Sequence, residues 1–410
     1  MDTTEESRVQ TFVGGKPVGV DARTIERELT NLWAAASQGG DSGLAVIRFC
    51  LMNLIAYAPD ESRMGDMTQM VANIAAYYPS RTIMLLNQGG EGEDKIETSL
   101  AAHCRLPVGG GRPICGEQIN ITAHGPSAAA DLPGTVIPLL VSDLPVILWW
   151  PNWPQGALTE DYKLEQYPFG SLLASADELI IDSITFPKPD MDLARLAQLH
   201  RIDDPAVAIN DLNWIRLTSW RQLTAQIFDA LYLRPFLNGL TSVQVHYKRG
   251  PNDTNPNQAL LLIGWLASRL NWHAPAEMKS GDGVCSIVMT SSDDRAVTVD
   301  VLNGRGDGVW PGDVIDFTMR GEFDGHKGTF TLTRRYFGED TRRDWEGGLP
   351  PIAEHIITSI EVDGQNKIER TVHIGARVKD ELLVEALGNL GHDPSYEAAL
   401  NIAVGLGNQP

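Results

Sequence analysis

Residues 136–153 constrain the fold more than any other stretch of this chain. Within them, residues 144–150 form a continuous apolar run that contains Pro145 and is followed by Pro151. Apolar runs of this length are typical of strands buried on both faces of a parallel sheet. Residues 134–141 are short and apolar, and they predict a brief helix that leads into the strand. We therefore predict a central strand whose carboxyl end, at Pro151, faces a ligand or a partner.

Three tryptophans, Trp149, Trp150 and Trp153, lie at the end of this run. Side chains of this size most often fill a hydrophobic core. The prolines around them also stop strand pairing and force the chain out of the sheet. Two interpretations follow: a core plug with a stiff turn, which we favour, or a contact point for a partner.

Length and charge limit the class of protein. A chain of 410 residues exceeds what one hydrophobic core usually supports, so two or more packed units are expected. No apolar run approaches the ~20 residues that span a bilayer, and the first ten residues are acidic and polar, unlike a secretory signal. The 33 basic and 53 acidic residues give a net charge of −20, which would repel nucleic acid and anionic membranes. We expect a cytoplasmic protein that binds neither.

Alternating strands and helices over residues 21–275 predict an α/β domain with a mixed, mostly parallel sheet and flanking helices. Its first core strand is placed at residues 44–57. Residues 96–106 and 117–123 are expected to pair as an antiparallel hairpin at one edge. Residues 211–231 keep helical spacing and are expected to form one helix.

The segments on either side of this domain have different patterns. Residues 1–20 are expected to be a flexible N-terminal segment. Residues 276–410 predict a second, β-rich domain, because residues 284–371 alternate short apolar segments with turn residues in the manner of an antiparallel meander. Two helices, at residues 380–388 and 395–404, are expected to close the chain and to cover a face or an edge of that sheet.

Motifs of catalysis are absent from the sequence. It contains no dinucleotide fingerprint, phosphate-binding loop, zinc-protease helix, nucleophile elbow or kinase signature. We therefore predict a protein that is not an enzyme and has no cofactor or metal. The alternative is a hydrolase-like enzyme acting on sugar phosphates, which would have to gather His103, His124, Asp143 and Asp182 into one site.

Four cysteines, Cys50, Cys104, Cys115 and Cys285, are too few for a disulfide framework in a chain of this length. Cys104 and Cys115 lie at the two ends of the link between the hairpin strands, so they are a candidate redox pair if those strands pair as predicted. We favour two small buried thiols that stay reduced. A zinc site with His103 and His124 is not predicted, because the close ligand pairs of zinc motifs are missing.

Several short segments recur in consistent order over residues 44–270 and together resemble the OpcA family, the glucose-6-phosphate dehydrogenase assembly proteins. They are residues 79–81 (PSR), 103–105 (HCR), 115–119 (CGEQI), 138–146 (PLLVSDLPV), 149–151 (WWP), 182–183 (DS), 211–214 (DLNW) and 220–221 (WR). The part after residue 275 is similar to the longer, cyanobacterial-type members.

This resemblance implies a function. The family is not catalytic: its members bind glucose-6-phosphate dehydrogenase, promote its active oligomer and raise its activity in the oxidative pentose phosphate pathway. The resemblance thus implies an allosteric activator with the dehydrogenase as partner and, in the longer members, redox control through thioredoxin. The candidate partner-binding residues are those of the motifs: Arg81, Asp143, Trp149, Trp150, Trp153, Asp211, Trp214, Trp220 and Arg221.

Overall fold

The described part of the chain, taken from a computed structural model, comprises residues 9–13, 21–39, 47–75, 77–89, 94–105, 114–152, 168–201, 207–250, 255–273, 279–281, 284–304, 310–336, 354–374 and 379–407. Two units divide the chain. The first is Met1–Ile181, Pro205–Asn210 and Lys379–His392, and the second is Asp182–Asp204, Asp211–Val378 and Asp393–Pro410.

The strands are β1 (Val9–Val13), β2 (Ile47–Arg48), β3 (Met52–Ala58), β4 (Ser80–Asn87), β5 (Lys95–Arg105), β6 (Ile114–His124), β7 (Val146–Trp150), β8 (Glu178–Ile181), β9 (Ala208–Asp211), β10 (Leu240–Lys248), β11 (Lys279–Gly281), β12 (Val284–Thr290), β13 (Ala296–Gly304), β14 (Val314–Phe323), β15 (His326–Tyr336), β16 (Glu354–Val362) and β17 (Gln365–His373).

The helices are α1 (Ala22–Gly39), α2 (Glu61–Ile74), α3 (Pro126–Ala130), α4 (Leu132–Val136), α5 (Pro168–Leu173), α6 (Pro189–Arg201), α7 (Leu212–Arg216), α8 (Thr218–Phe228), α9 (Pro235–Asn238), α10 (Asn257–Arg269), α11 (Lys379–Gly388) and α12 (Pro394–Gly407). The predicted α/β fold class is confirmed. Among the described helices, none is long and apolar enough to cross a membrane.

The first sheet has the strand order β1-β5-β6-β4-β3-β7-β8-β9, with β2 beside β6. β3, β4, β6, β7 and β8 run parallel, while β5 and β6 form the predicted antiparallel hairpin. β7 lies inside the sheet, and Ile147, Leu148, Trp149 and Trp150 are at most 5% exposed. The prediction of a central buried strand at residues 144–150 is confirmed. β1, inside the segment expected to be flexible, pairs with β5.

The expected single strand at residues 44–57 is wrong, because two strands share this apolar run. β2 pairs with β6 in line with β4, whereas β3 pairs with β4 and β7. Between them the backbone changes partner: Phe49 N–H donates to Cys115 O, and Leu51 N–H donates to Pro79 O. Phe49 and Leu51 are left 48% and 39% exposed.

The expected single helix at residues 211–231 is also wrong. β9 ends at Asp211, whose carboxylate accepts from Asn213 N–H at 2.9 Å and caps α7. Leu217 then separates α7 from α8. Aspartate favours a helix start over a helix interior because its side chain can bond the free N–H groups of the first turn.

The second sheet has the order β11-β12-β13-β10-β14-β15-β16-β17. The meander of β14 to β17 is antiparallel as predicted, but β10 is inserted between β13 and β14 and runs parallel to β13. Because β10 precedes residue 275, this sheet uses strands from both sides of the domain boundary drawn from the sequence.

Both C-terminal helices form, with different neighbours. α12 packs on α10 so closely that a Cβ added at Gly264 would lie 2.3 Å from Ala399 O. α11 belongs to the first unit, where Asp380 accepts from Asn73 at 2.5 Å. The expectation that α11 covers the second sheet is therefore wrong.

Candidate functional site

A buried pair of opposite charges joins the amino ends of β4 and β6 in the first unit. Arg81 and Glu117 are register partners, and Arg81 Nε donates to Glu117 Oε1 at 2.5 Å. Arg81 Nη1 also donates to Glu26 at 2.5 Å and to Leu139 O at 2.7 Å. Burial opposes the charge of Arg81, but the two carboxylates hold the pKa of its guanidinium above the usual value. Arg81, selected from the sequence motifs, is therefore an internal anchor of this unit.

A second arginine and a tryptophan complete the coordination of Glu117. Arg48 Nε lies 2.9 Å from Glu117 Oε2, and Trp33 Nε1 donates to the same oxygen at 3.2 Å. Glu117 is 1% exposed, whereas the Arg48 side chain is 40% exposed. Sequence reasoning did not select Glu117 or its partners Arg48 and Trp33 as site residues. The segment 115–119 contained the only signal, a glutamate in the predicted strand at residues 117–123.

Cys104 and Cys115 face each other across β5 and β6 and form a disulfide. Both are buried, and Trp33 and Ala102 pack on them. The expectation that these two cysteines stay reduced is wrong, because directly opposed residues of an antiparallel hairpin lie close enough to bond. Their role as a redox pair stays a prediction. Cys50 and Cys285 are not in disulfides.

The tryptophans of β7 lie in the interior. Trp150 stacks on Tyr57 with ring centroids 3.9 Å apart and meets Phe169 edge-on at 5.0 Å. Trp149 is 2% exposed. These two rings therefore fill the core of the first unit, the interpretation favoured from the sequence. Trp153 lies outside the described residues.

The two histidines of the alternative, hydrolase-like site are not brought together. On the hairpin, His103 is opposite Gly116 while His124 is opposite Lys95, so the two histidines are separated by about 25 Å along β6. His103 is buried between Thr11 and Gln118, and burial lowers its pKa. Asp143 lies in an exposed turn with a φ of 64°.

A bidentate ion pair between Asp182 and Arg216 lies at the start of the second unit. Arg216 Nη1 and Nη2 donate to the two carboxylate oxygens of Asp182 at 2.6 and 2.9 Å, a geometry that suits the planar guanidinium. The Asp182 and Arg216 side chains are 4% and 15% exposed. Burial opposes the charge of Arg216, but Asp182 raises the pKa of the guanidinium. The pair ties the turn at Ser183–Thr185 to α7.

Asp211 is 0% exposed and organises the backbone around it. Its Oδ1 accepts from the N–H groups of Ser183 at 3.0 Å and Asn213 at 2.9 Å. The hydroxyl of Tyr396 donates to Oδ2 at 3.4 Å. Burial raises the pKa of Asp211 to about 6, although the hydrogen bonds from Ser183 lower it. This motif residue is therefore held inside the second unit.

Further buried polar side chains continue this network. Gln258 donates to Asn213 at 2.9 Å and accepts from Val314 N–H at 2.6 Å. Arg334 pairs with Asp313 at 2.8 Å and with Glu354 at 3.1 Å. The Arg334 guanidinium lies 5.5 Å from the ring centroid of Trp220, a distance at which a cation is attracted to an aromatic face. Such residues, far apart in sequence, give no spacing signal.

Trp214 and Arg221 extend this network. The Arg221 guanidinium lies 3.4 Å from the Trp214 ring centroid, and Trp214 Nε1 donates to Asp393 at 2.8 Å. Burial opposes the ionisation of Asp393, but the bonds from Trp214, Ser395 and Tyr396 lower its pKa. Asp211, Trp214, Trp220 and Arg221 thus belong to one structural region of the second unit.

Glu178 is a buried carboxyl group that the sequence did not single out. It is 3% exposed and accepts from Gly391 N–H at 2.8 Å and from Asn210 at 3.2 Å. Burial raises its pKa to about 7, while Gly391, Asn210 and His392 lower it. The group holds the turn after α11 against β8 in the first unit.

These arrangements engage many of the buried polar side chains in internal hydrogen bonds and ion pairs. Among the described residues, no group of three or more His, Cys, Asp or Glu side chains could hold a metal ion. The Cys50 thiol has a pKa of about 11, raised by burial and by Glu117, so it is protonated near neutral pH. The Ser183 hydroxyl accepts from Asn213 at 3.1 Å.

One exposed feature stands out in the first unit. We call Arg48, Phe49, Leu51 and Ile114 the β2 surface. Ile114 pairs with Ile47, and Phe49 bonds the backbone of Cys115. Phe49, Leu51 and Ile114 are 39% to 48% exposed. Sequence reasoning missed this surface because the same apolar letters predict a buried strand.

Known proteins similar to this chain agree with its sequence motifs. Residues 207–400 match the C-terminal domain of the glucose-6-phosphate dehydrogenase subunit family, and residues 71–198 match the N-terminal domain of the same family. Two cyanobacterial proteins with the name putative OxPP cycle protein OpcA are similar to this chain. The one from Nostoc punctiforme is 36% identical over 232 residues, 56% of this chain and 46% of that protein. The one from Synechocystis is 35% identical over 233 residues, which cover 56% of this chain and 44% of that protein.

The chain spans about half the length of the curated relatives it matches. Among solved structures, a 3-ketoreductase from Actinomadura kijaniata has a TM-score of 0.41 at 12% identity, covering 87% of this chain and 95% of that one. That likeness is too low to bear on function. The two domain models, in contrast, together match more than half of the chain. By that match, and in agreement with the resemblance of its motifs, the chain belongs to the glucose-6-phosphate dehydrogenase subunit family, OpcA.

Proposed function

We propose that this chain is a non-catalytic assembly factor and allosteric activator of glucose-6-phosphate dehydrogenase in the cytoplasmic oxidative pentose phosphate pathway. The observation that carries the proposal is the match of residues 71–198 and 207–400 to the N-terminal and C-terminal domains of the dehydrogenase subunit family. The OxPP cycle assignment of the cyanobacterial relatives supports the pathway.

The internal chemistry supports the non-catalytic part of the proposal. A hydrolytic site needs a nucleophile, a base and an orienting group within hydrogen-bond reach. Among the groups considered for that role, His103 bonds Thr11 and Gln118, and Asp182 is paired with Arg216. The buried motif residues, Arg81, Trp149, Trp150, Asp211, Trp214 and Trp220, would stabilise the two units, which a binding protein needs as a rigid support.

We place the contact with the dehydrogenase at the β2 surface. Exposed apolar side chains that cluster beside charged ones are typical of protein interaction sites. Phe49 is 48% exposed and follows Arg48. The Nε atom of Arg48 lies 2.9 Å from Oε2 of the buried Glu117 carboxylate. The buried pair of Arg81 and Glu117 therefore gives this surface a rigid base. Trp149, Trp150 and Trp220, which are buried, would act in binding only through the shape of the units.

Redox control, the remaining part of the proposal, has a physical route to this surface. Cys115 is the register partner of Arg48, and its carbonyl accepts from Phe49 N–H at 3.4 Å. Opening the bond to Cys104 would loosen the hairpin end on which β2 lies. A dithiol reductant of the thioredoxin type, by thiol-disulfide exchange, is the class of partner that would open it.

Binding and activation can be measured with purified proteins. Titrating this chain into glucose-6-phosphate dehydrogenase should form a complex in sedimentation velocity and raise the rate of glucose 6-phosphate oxidation, whereas this chain alone should have no rate. Phe49→Asp should weaken the complex by roughly tenfold or more, because a charge would enter an apolar contact.

The matched control is Leu231→Asp, a leucine of the second unit that is 78% exposed. It adds the same charge outside the β2 surface and should bind and activate like the parent. Equal affinity of all three proteins would remove the β2 surface from the proposal. Failure of the parent chain to bind the dehydrogenase in either redox state would contradict the proposed function itself.

A further inference from the structure

The two faces of the second sheet differ in what covers them. On one face, Val243, Phe317 and Phe330 are fully buried, and Phe228 of α8 packs on Phe330 with centroids 4.8 Å apart. We call the opposite face of β12 to β17 the outer face. Side chains alternate between the two faces of a strand, so the outer face carries the residues between these buried ones.

The centre of the outer face carries short side chains. Thr318, Thr331 and Ser359 are neighbours in one row across β14, β15 and β16, and Thr333 and Ile357 are neighbours in the next row. All five are half-buried. Sheet faces that only meet water commonly carry long charged side chains, whereas the centres of protein interfaces are depleted of charge. This centre carries no charged side chain and no side chain larger than isoleucine.

Charged residues surround this centre, and both signs are present. Asp300 and Asp316 lie on the side of β13 and β14, and Glu361 and Glu369 lie on β16 and β17. Arg320 and Arg335 are exposed on β14 and β15. Part of this charge is already oriented: Arg320 donates to Gln244 at 2.8 Å, and Gln244 donates to Asp300 at 3.2 Å. Protein interfaces share with this face a centre that is depleted of charge and a rim that is polar.

The size of the outer face fits a stable dimer. Strands lie about 4.8 Å apart and rise about 3.3 Å per residue, so the face from β12 to β17 covers roughly 800 Å². A standard specific interface buries about 800 Å² on each partner. Two flat sheets can pack face to face at about 10 Å. The outer face is therefore large enough to form one side of such an interface.

We propose that the outer face joins two copies of this chain into a symmetric dimer, a property beyond the proposed activation of the dehydrogenase. A symmetric dimer brings the same patch of both copies together, so the patch must be compatible with itself. A face with charges of one sign would repel its copy, but this one carries acids and bases around a neutral centre. The net charge of −20 makes two copies repel each other in general. A face with charges of both signs is therefore favoured as the contact between them.

Sedimentation equilibrium of the purified chain without the dehydrogenase tests the proposal. The parent should have twice the mass of one chain at micromolar concentration. Thr331→Arg should weaken self-association by about tenfold or more, because a long charge enters the centre of the contact. Thr30→Arg, the same change at an exposed position of α1, should leave the dimer intact. Ser359→Arg provides a second variant of the centre if Thr331→Arg does not fold.

Each other outcome overturns the proposal. A parent chain that is monomeric at these concentrations has no such interface. A dimer that persists in folded Thr331→Arg and Ser359→Arg variants uses another surface. If the parent is monomeric and Thr331→Arg loses only its binding to the dehydrogenase, the outer face binds that enzyme and not a second copy.

Discussion

The Arg81 guanidinium donates its Nε–H to the Glu117 carboxylate across 2.5 Å, and the two side chains are only 5% and 0% exposed. They are neighbours on parallel strands, β4 and β6. Removing one member of a buried pair leaves an uncompensated charge, which costs more than the pair itself contributes. The amino end of the first sheet, beneath the β2 surface, therefore depends on both residues.

Arg81→Met should lower the free energy of unfolding by about 3 kcal/mol or more, since Glu117 would keep only the partly exposed Arg48 as a charged partner. Urea denaturation measures the loss. The control is Lys95→Met, which removes a pair with Glu97 whose side chains are 52% and 50% exposed, and it should cost less than about 1 kcal/mol. Equal losses in the two variants would contradict the assignment of Arg81 as an anchor.

Substitution of glycine by alanine should have opposite effects on stability at Gly264 and at Gly65. At Gly264 an added Cβ would lie 2.3 Å from Ala399 O, so Gly264→Ala must push α10 and α12 apart and should destabilise the chain by about 2 kcal/mol. At Gly65 in α2 nothing lies within 4 Å, and Gly65→Ala should stabilise by about 0.5 kcal/mol or more. Thermal and urea unfolding of both variants test the packing of α12. A neutral Gly264→Ala would mean that the two helices are farther apart.

Glu178 gives the first unit a predictable pH dependence. Its pKa, raised by burial to about 7 from 4.5, means that the folded state holds the proton more tightly than the unfolded chain. The stability from this group is present at low pH and is lost as pH rises through about 4.5 to about 7. Relative to the parent, Glu178→Gln should therefore gain on the order of 2 to 3 kcal/mol between about pH 5 and about pH 8.

The control for that pH dependence is Glu97→Gln. Glu97 is exposed, and the bond from Lys95 lowers its pKa. Losing that carboxylate should not stabilise the chain as pH rises. If the stability difference between parent and Glu178→Gln stays constant with pH, Glu178 is ionised in the folded protein throughout.

The disulfide should add measurable stability. Cys104 and Cys115 are separated by 11 positions, and closing a loop of this size contributes about 3 kcal/mol in the chain-entropy model. A dithiol reductant should therefore lower the stability of the parent by about that amount and release both thiols together in a trapping assay. Cys104→Ser combined with Cys115→Ser should remove the response, whereas Cys50→Ser combined with Cys285→Ser should retain it. Independent labelling of Cys104 and Cys115 would argue against a switch.

Local patterns were sufficient where an element depends on its own sequence. The apolar run at residues 144–150, bounded by Pro151, predicted β7 because a strand that is buried on both faces needs apolar side chains at every position. Residues 44–57 are also largely apolar, yet their division into β2 and β3 depends on pairing with β4 and β6, which lie farther along the chain. Exposed Phe49 and Leu51 cannot be distinguished from core residues by hydrophobicity alone.

The site residues were predictable to a similar extent. Motif resemblance selected Arg81 and Asp211, but it did not indicate that both would be buried. Their environment comes from partners such as Glu117 and Tyr396, which are distant in sequence. The pairing of Cys104 with Cys115 followed from the predicted hairpin, yet the oxidised state did not. Long-range partners set burial and pKa, and sequence spacing does not encode them.

The central claim, that this chain activates glucose-6-phosphate dehydrogenase by binding it, is tested most directly by one titration. The affinity of the purified chain for the dehydrogenase is measured with and without saturating glucose 6-phosphate. If the chain favours the substrate-competent state, linkage requires tighter binding to the liganded enzyme, typically by about 1 to 3 kcal/mol. The account predicts this increase together with a rise in activity. Tight binding with the same affinity in both conditions would leave a scaffold without affinity-based activation, and no binding in either condition would contradict the claim.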